Sequence, residues 1–580
     1  MKYKMKYTKV LGLALAALTF NACSDEWDEH YVAQPLGNGV SLWQTISTDA
    51  NLSNFKMVLD SCGYEKVLNS SQVFTVFAPT NEYFTEQQAE AYIELYNLDK
   101  ARNKKEKENR AVKEFVMNHI ALYNHSVYSN YSDTIVLLNG KYLHLTDETA
   151  GEQSLISSNM PHGNGILYTV DGELSYLSNV LEQLGKVEGL DSIAAFFEEY
   201  NVYEFLPEKS IPGGIVNGQT VYLDSVTRLK NDLFEYVGKI NDEDSTYWMV
   251  APDNDMWKAM VDEYTNYFVY DDSVAKGDSL QYLYSRLAII RGTVFSATQN
   301  PDESKYDSVK STEAMDYKQR LTKYGSYDTY YYQYDKPYAP GGIFANVDEF
   351  ECSNGILMKA NAWNIDKSQT FSQLILTECE TRGALAYIDK DVDGTQDSKN
   401  IKTQTTTVNV PTNSEYYNKI SGNSFMKIAP TSGTNPSATF YVRDVLSMPY
   451  DIYVVVVPAT AEDPRATENQ RLPIKAIFKI NYHDEKGASK LVTQQKDERI
   501  VLNNNVISNP EVIDTILVKS NVMIPTCSYG LQDAVPQVTI TAESSVTNRQ
   551  VQTKQYTQTM RLDAIILKPH VGEGEEIVIE

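Results

Sequence analysis

The sequence predicts a multidomain protein: two related α+β domains in tandem, followed by an all-β antiparallel sandwich. Three observations predict this. A pair of motifs occurs twice in the same order; helical periodicity fades after about residue 368 while short strand-like runs continue; and 580 residues is the length of roughly three or four domains.

The chain begins with Lys2, Lys4, Lys6 and Lys9, an apolar run from Val10 to Phe20, and then Asn21, Ala22 and Cys23. A cationic stretch, a short apolar core and a small residue before a cysteine resemble a lipoprotein signal peptide. The run is too short for a bilayer, which takes about 20 apolar residues. Residues 1–22 are expected to be removed, leaving Cys23 to carry diacylglycerol on its sulfur and an acyl group on its amine. Such a modification anchors a protein in membrane lipid because each buried methylene contributes about 0.8 kcal/mol, and more than one chain is needed for a stable hold. An ordinary secretory signal with Cys23 incidental is the competing interpretation.

Residues 23–38 form an acidic tether that starts Ser24-Asp25-Glu26-Trp27-Asp28-Glu29. It resembles the export signal by which some diderm bacteria send lipoproteins to the extracellular face of the outer membrane, and the alternative is a solvated acidic linker. The formal net charge is -26, and it becomes more negative once the leader lysines are gone. With no clustered Lys/Arg stripe, the chain should repel polyanions, which argues against nucleic acid as a partner. Cys62, Cys352, Cys379 and Cys527 show no CxxC or metal spacing; they read as buried thiols or as one or two bridges.

In the repeat, Phe74-Thr75-Val76-Phe77-Ala78-Pro79-Thr80-Asn81 is echoed by Tyr247-Trp248-Met249-Val250-Ala251-Pro252-Asp253-Asn254, with Phe84 echoed by Trp257. This is a buried strand stopped by a proline, with Thr80 or Asp253 placed to cap a following helix. Asn164-Gly165-Ile166-Leu167 is echoed by Asn354-Gly355-Ile356-Leu357, a turn feeding a core strand.

Together with a helix ending in Asn118-His119-Ile120 and the continuation from Asn164 to Leu174, these motifs resemble a fasciclin domain over residues 39–185. The second copy, 186–367, is more diverged, with Arg286 expected where His119 stands and a tyrosine-rich insertion. The resemblance implies compact domains, each a β-sandwich with a helical layer, used for adhesion and extracellular binding, without catalytic activity.

From 368 to 580 the strand signals include Ala438 to Arg443, Tyr450 to Val457, Ile474 to Tyr482, Gln537 to Thr541 and Met560 to Leu567. Short β-rich runs bounded by Pro, Asn, Asp and Gly argue for an antiparallel sandwich. Their order faintly resembles the galactose-binding-like jelly rolls of carbohydrate-binding modules, a likeness of strand patterning alone.

No nucleophile elbow, zinc-binding HExxH or comparable constellation occurs, so no catalytic residue is nominated. His119 is expected to be a satisfied core histidine. Asp389, Asp391, Asp393 and Asp397 follow a D-x-D-x-D-G pattern, but Asn400 stands where a calcium loop places its bidentate glutamate. An acidic hairpin turn is the first interpretation and a weak calcium site the second. Tyr324, Tyr327, Tyr330, Tyr331, Tyr332, Tyr334 and Tyr338 form a cluster without clean periodicity. Tyrosine couples an apolar face to a hydroxyl, which suits contact with a protein or a sugar, while a packed loop is the alternative.

The expectation is a surface-exposed outer-membrane lipoprotein that binds or scaffolds without catalysis, with no cofactor beyond its lipid. Bacteria with such export signals pair these proteins with a TonB-dependent transporter and its lipoprotein partner, which makes polysaccharide a candidate ligand. A cell-surface adhesin for host matrix or neighbouring cells is the second possibility.

Overall fold

The computed structural model describes residues 39–104, 108–207, 210–216, 219–224, 227–301, 307–314, 320–321, 327–328, 331–389, 401–431, 434–488, 492–493, 496–497, 499–531 and 538–571. Cys23, Tyr324, Tyr330, Asp391, Asp393 and Asp397 lie outside these residues, as does the side chain of Tyr327.

The first unit is built on a seven-stranded sheet. Its central strands, Phe74–Pro79 and Gly165–Val170, run parallel, with Phe74 opposite Gly165. Every residue of both is buried, as expected of parallel strands covered on both faces. Side chains alternate across a strand. Phe74, Val76 and Ala78 therefore join Leu42, Phe55, Val58, Phe84 and Phe115 beneath the helices, while Phe77 joins Tyr168, Leu143 and Leu145 on the opposite face. The cap of the long helix Glu86–Ala101 differs from expectation. Thr85, not Thr80, accepts from Gln88 N, and the Gln88 side chain returns the bond to the Thr85 backbone. This reciprocal pair satisfies two otherwise orphaned donors and starts the helix five residues later.

The second unit repeats this plan on a six-stranded sheet. Tyr247–Ala251 runs parallel to Gly355–Ala360 with Tyr247 opposite Gly355, and Asp253 caps Asn254–Tyr264 by accepting from Met256 N. Registers then correct one expected equivalence. Val76 lies opposite Ile120 and Met249 opposite Val294, so Thr293, not Arg286, occupies the place of His119. Strand pairing rather than helix composition fixes the alignment, and the Arg286 guanidinium lies 3.7 Å from the centre of the Tyr282 ring. The helix Val180–Leu184, expected in the first domain, packs in the second unit's core through Val180 and Leu184. A hairpin arm, with Asn201–Phe205 paired to Thr227–Asn231, follows the next helix.

The rest is an antiparallel sandwich. One sheet orders Thr403–Asn409, Ser424–Pro430, Met560–Pro569, Met448–Val456 and Asp514–Ile524, with Ile375–Glu378 also pairing with Met560–Pro569. The other orders Leu385–Ile388, Ser437–Val442, Val538–Ser544, Lys475–Asn481 and Ile500–Ile507. Alternation sets Ala476, Phe478 and Ile480 inward against a shared core with Ile452, Val454, Leu562 and Leu567.

The junctions between units differ in chemistry. Lys141, only 5% exposed, links the first unit to the second by donating to Glu182 (3.1 Å), Glu243 (2.6 Å) and Ser353 Oγ (2.9 Å). The second unit and the sandwich instead share one hydrophobic core, where Phe371 packs 4.7 Å from Tyr264 and 5.7 Å from Phe268, ring centre to ring centre. Cys62, Cys352, Cys379 and Cys527 are buried, with no disulfide among them. Among the described residues, no helix is long and apolar enough to cross a membrane.

Candidate binding sites

The residues of the repeated motifs serve the fold. Asn164 accepts from Leu42 N (2.8 Å) and donates to Leu68 O and Ser70 O (both 2.8 Å). Asn354 repeats the arrangement with Val180 N (2.9 Å), Ile240 O and Asp242 O (both 3.0 Å). The following glycines have φ of +151° and +140°, and a Cβ there would meet the carbonyl oxygen of Phe74 at 2.0 Å or of Tyr247 at 1.8 Å. The close approach of the parallel partner, as much as the backbone conformation, demands glycine. His119 is fully buried; its Nδ1–H donates to Phe115 O (2.8 Å) and its Nε2 accepts from Leu174 N (2.9 Å). Burial lowers its pKa to about 4, which fits a neutral structural imidazole.

The tyrosine segment does not form one patch. Tyr331–Asp335 is a strand paired with Ser308–Ala314, and it turns Tyr332 and Tyr334 into the core beside Phe295 and Phe344. These two are corrections to the expected contact surface: at 2% and 3% exposure they cannot meet a partner. Tyr331 is half-buried, and Tyr338 is 56% exposed with its ring 5.2 Å from that of Phe344.

Asp389 is a turn residue. With φ at +41°, it accepts from Lys402 N (2.7 Å), Thr403 N (2.5 Å) and Thr403 Oγ1 (2.5 Å). It thereby ties the end of a strand in one sheet to the start of a strand in the other, a use typical of short acidic side chains. Among the described residues, no group of three or more His, Cys, Asp or Glu side chains is arranged to hold a metal ion.

Two features escaped the sequence. At the end of the strand Ile375–Glu378, the Glu380 carboxyl is pushed up to about 8 by burial and by the charges of Asp563 and Glu378. One of its oxygens accepts from Ser424 Oγ (3.0 Å) and the other is buried without a hydrogen-bond partner.

The second is a cleft of about 260 Å³ where three loops of the sandwich meet, lined by Asn413, Ser414, Glu415, Tyr416, Thr460, Pro464, Arg471 and Glu511. The loops are seated on a small apolar cluster of Val410, Tyr416, Ile420, Phe425, Val457 and Ala461. Tyr416 OH donates to Glu511 O (2.9 Å). Arg471 donates from Nε to Ala466 O (2.9 Å), and its Nη1 lies 3.6 Å from Glu511. The Thr460 side chain is 8% exposed, and its hydroxyl has no hydrogen-bond partner. No short sequence pattern marks the cleft, because its walls come from segments nearly a hundred residues apart.

Comparison with known proteins places the first unit. The fasciclin domain family model matches residues 50–175. No curated protein matches the sequence. Among solved structures, the fasciclin-domain pair of the insect cell adhesion molecule fasciclin I aligns over 55% of this chain and 97% of its own, with 11% identity and a TM-score of 0.17. A Podospora anserina mannanase with a carbohydrate-binding module aligns over 35% of this chain and 29% of its own, with 11% identity and a TM-score of 0.18. A carbohydrate-binding module of the β-sandwich superfamily aligns over 45% and 70%, with 10% identity and a TM-score of 0.16. At such scores the structural likenesses carry no argument. The family match, falling on the sheet and helices described above, identifies residues 50–175 as a fasciclin domain.

Proposed function

We propose that this protein is a lipid-anchored, non-catalytic binding subunit on the extracellular face of an outer membrane, serving a TonB-dependent glycan uptake system. The fasciclin domain at residues 50–175, an adhesion-type module without enzymatic activity, is the observation that carries this reading. The leader supports the location: a cationic stretch, an apolar run and Cys23 supply the chemistry of a lipid anchor. The acidic stretch after Cys23 supports surface display. The polar cleft in the sandwich supports capture of a hydroxyl-rich ligand, and favours glycan uptake over adhesion to a matrix protein, whose footprint is far larger than such a cleft.

The test is purification of the native protein from membranes in mild detergent, with mass spectrometry of its amino-terminal peptide and of its partners. The expected result is a mature chain starting at an acylated Cys23, accompanied by an outer-membrane transporter. An unmodified amino terminus still carrying its leader, in a cytosolic fraction, sinks the proposal. An acylated protein that purifies without a transporter, and whose deletion abolishes attachment but not growth on glycans, replaces uptake with adhesion.

A further inference from the structure

We infer that the cleft between the sandwich loops around Tyr416, Thr460 and Arg471 seats one uncharged sugar unit of a polysaccharide, an inference that rests on the glycan-binding reading above. Four observations converge on that ligand class. The cleft is small, about 260 Å³, below the ~300 Å³ at which pockets for drug-sized ligands begin, so it admits a single ring rather than a helix or a peptide segment.

Its lining residues include both donors and acceptors. Asn413 and Ser414 offer both, Arg471 donates, and Glu415 and Glu511 accept, a set that matches vicinal hydroxyls, each of which donates once and accepts twice.

Its electrostatics select against acidic sugars. Two carboxylates face one guanidinium in a chain with a formal net charge of -26, so a uronate or sulfated unit meets net repulsion.

Its frame is set before a ligand arrives. Tyr416 is tied to Glu511 O, and Tyr416 N donates to Ser414 Oγ at 3.2 Å. Glu511 N donates to Asn509 Oδ1 at 3.0 Å, and Asn509 N to Asp514 Oδ2 at 2.6 Å. Little ordering cost is left to binding. Within this frame, Thr460 lines the cleft and its hydroxyl is buried without a partner, an arrangement that costs about 1–3 kcal/mol and that a turn of χ1 towards a ligand hydroxyl would relieve.

Another concavity, between Glu199, Tyr200, Asp278, Ser279 and Tyr282, lacks this character. Tyr282 OH is already bonded to both Glu199 oxygens (2.7 and 2.8 Å).

The experiment is affinity electrophoresis of the full mature chain through gels holding neutral xylan, galactomannan, mixed-linkage β-glucan or starch, with polygalacturonate as the acidic probe. Wild type is run beside Thr460→Val and the double variant Thr460→Val/Glu415→Ala. Valine keeps the shape of threonine and Glu415 is exposed, so both variants are expected to fold, with melting temperatures no lower than wild type. The expected result is retardation of wild type by at least one neutral polymer and not by polygalacturonate. The same gels should show about ten-fold weaker binding by the double variant, the equivalent of one or two lost hydrogen bonds. Retardation of both variants equal to wild type, or preference for polygalacturonate, overturns the cleft as the site and leaves the glycan-binding reading standing. Wild type unretarded by every polymer overturns both.

Discussion

Asn164 and Asn354 each bind the first helix of their unit to a turn that ends elsewhere in it. Replacing Asn164 by alanine strands Leu42 N, Leu68 O and Ser70 O in a site where the asparagine is only 5% exposed. Buried groups left unpaired cost about 1–3 kcal/mol each, with partial relaxation expected when three share a site. Asn164→Ala should therefore destabilise the first unit by roughly 3–5 kcal/mol. Asn354→Ala should do the same to the second, and circular dichroism melting checks both. A melting point within a degree of wild type would refute the role. The sequence showed the Asn-Gly step as a turn, because that is local chemistry. It could not show what the asparagine binds, since Leu42 lies 122 residues away. His119 was legible as a core histidine for the same local reason, and its partner Leu174 N was not. The cap at Thr85 could have been read, because Thr85-Glu86-Gln87-Gln88 is a capping box in plain sequence; the proline stop drew the helix start too early.

Strands carry the next level of consequence. Among the described residues of the tyrosine segment, Tyr331–Asp335 is the strand that sets one face in a core, and two inward tyrosines are too few to mark a period over the full length. Five of the sandwich strands were legible to within three residues, since strands such as Lys475–Asn481 alternate strictly between buried and half-buried positions. The cleft was not, because loops from three connections build it and none has a pattern of its own. Glu380, just beyond the strand Ile375–Glu378, sets a pH dependence. Its folded-state pKa is raised to about 8 from the ordinary glutamate value of 4.5, first by burial. The folded state thus holds a proton that the unfolded chain has released, and stability falls as pH rises from about 4.5 to about 8. Glu380→Gln removes that loss while keeping an acceptor for Ser424 Oγ. It should raise the melting temperature of the sandwich by several degrees at pH 8.5 and leave it nearly unchanged at pH 4.5. Equal shifts at both pH values would show that charge is not the cause.

Across the whole molecule, the contrast between junctions predicts how it comes apart. The second unit and the sandwich share a continuous apolar core, and backbone bonds cross between them from Cys527 N to Val269 O (2.6 Å) and from Asp272 N to Glu485 O (2.9 Å). Units joined in this way unfold together. The first unit meets the second through Lys141 and its carboxylates, a contact that depends on geometry and charge. Burial opposes ionisation of Glu182, but Lys113 and Lys141 outweigh it and hold the carboxyl down at about 2. The stabilisation this gives is complete above the ordinary glutamate value of 4.5 and is lost as pH falls towards 2. Calorimetry should therefore resolve two transitions, a smaller one for the first unit and a larger one for the fused remainder. Lys141→Ala leaves Glu243 without its cation and Glu182 with Lys113 alone, so the cost falls at the lower end of the roughly 3–5 kcal/mol of a broken buried pair. The variant should lower the first transition at pH 7 and move the second much less, and the difference from wild type should shrink as pH falls from 4.5 towards 2 and Glu182 takes up its proton. A single cooperative transition, or a variant that lowers both equally at every pH, would show that all three units form one folding body and that the lysine is not its hinge point.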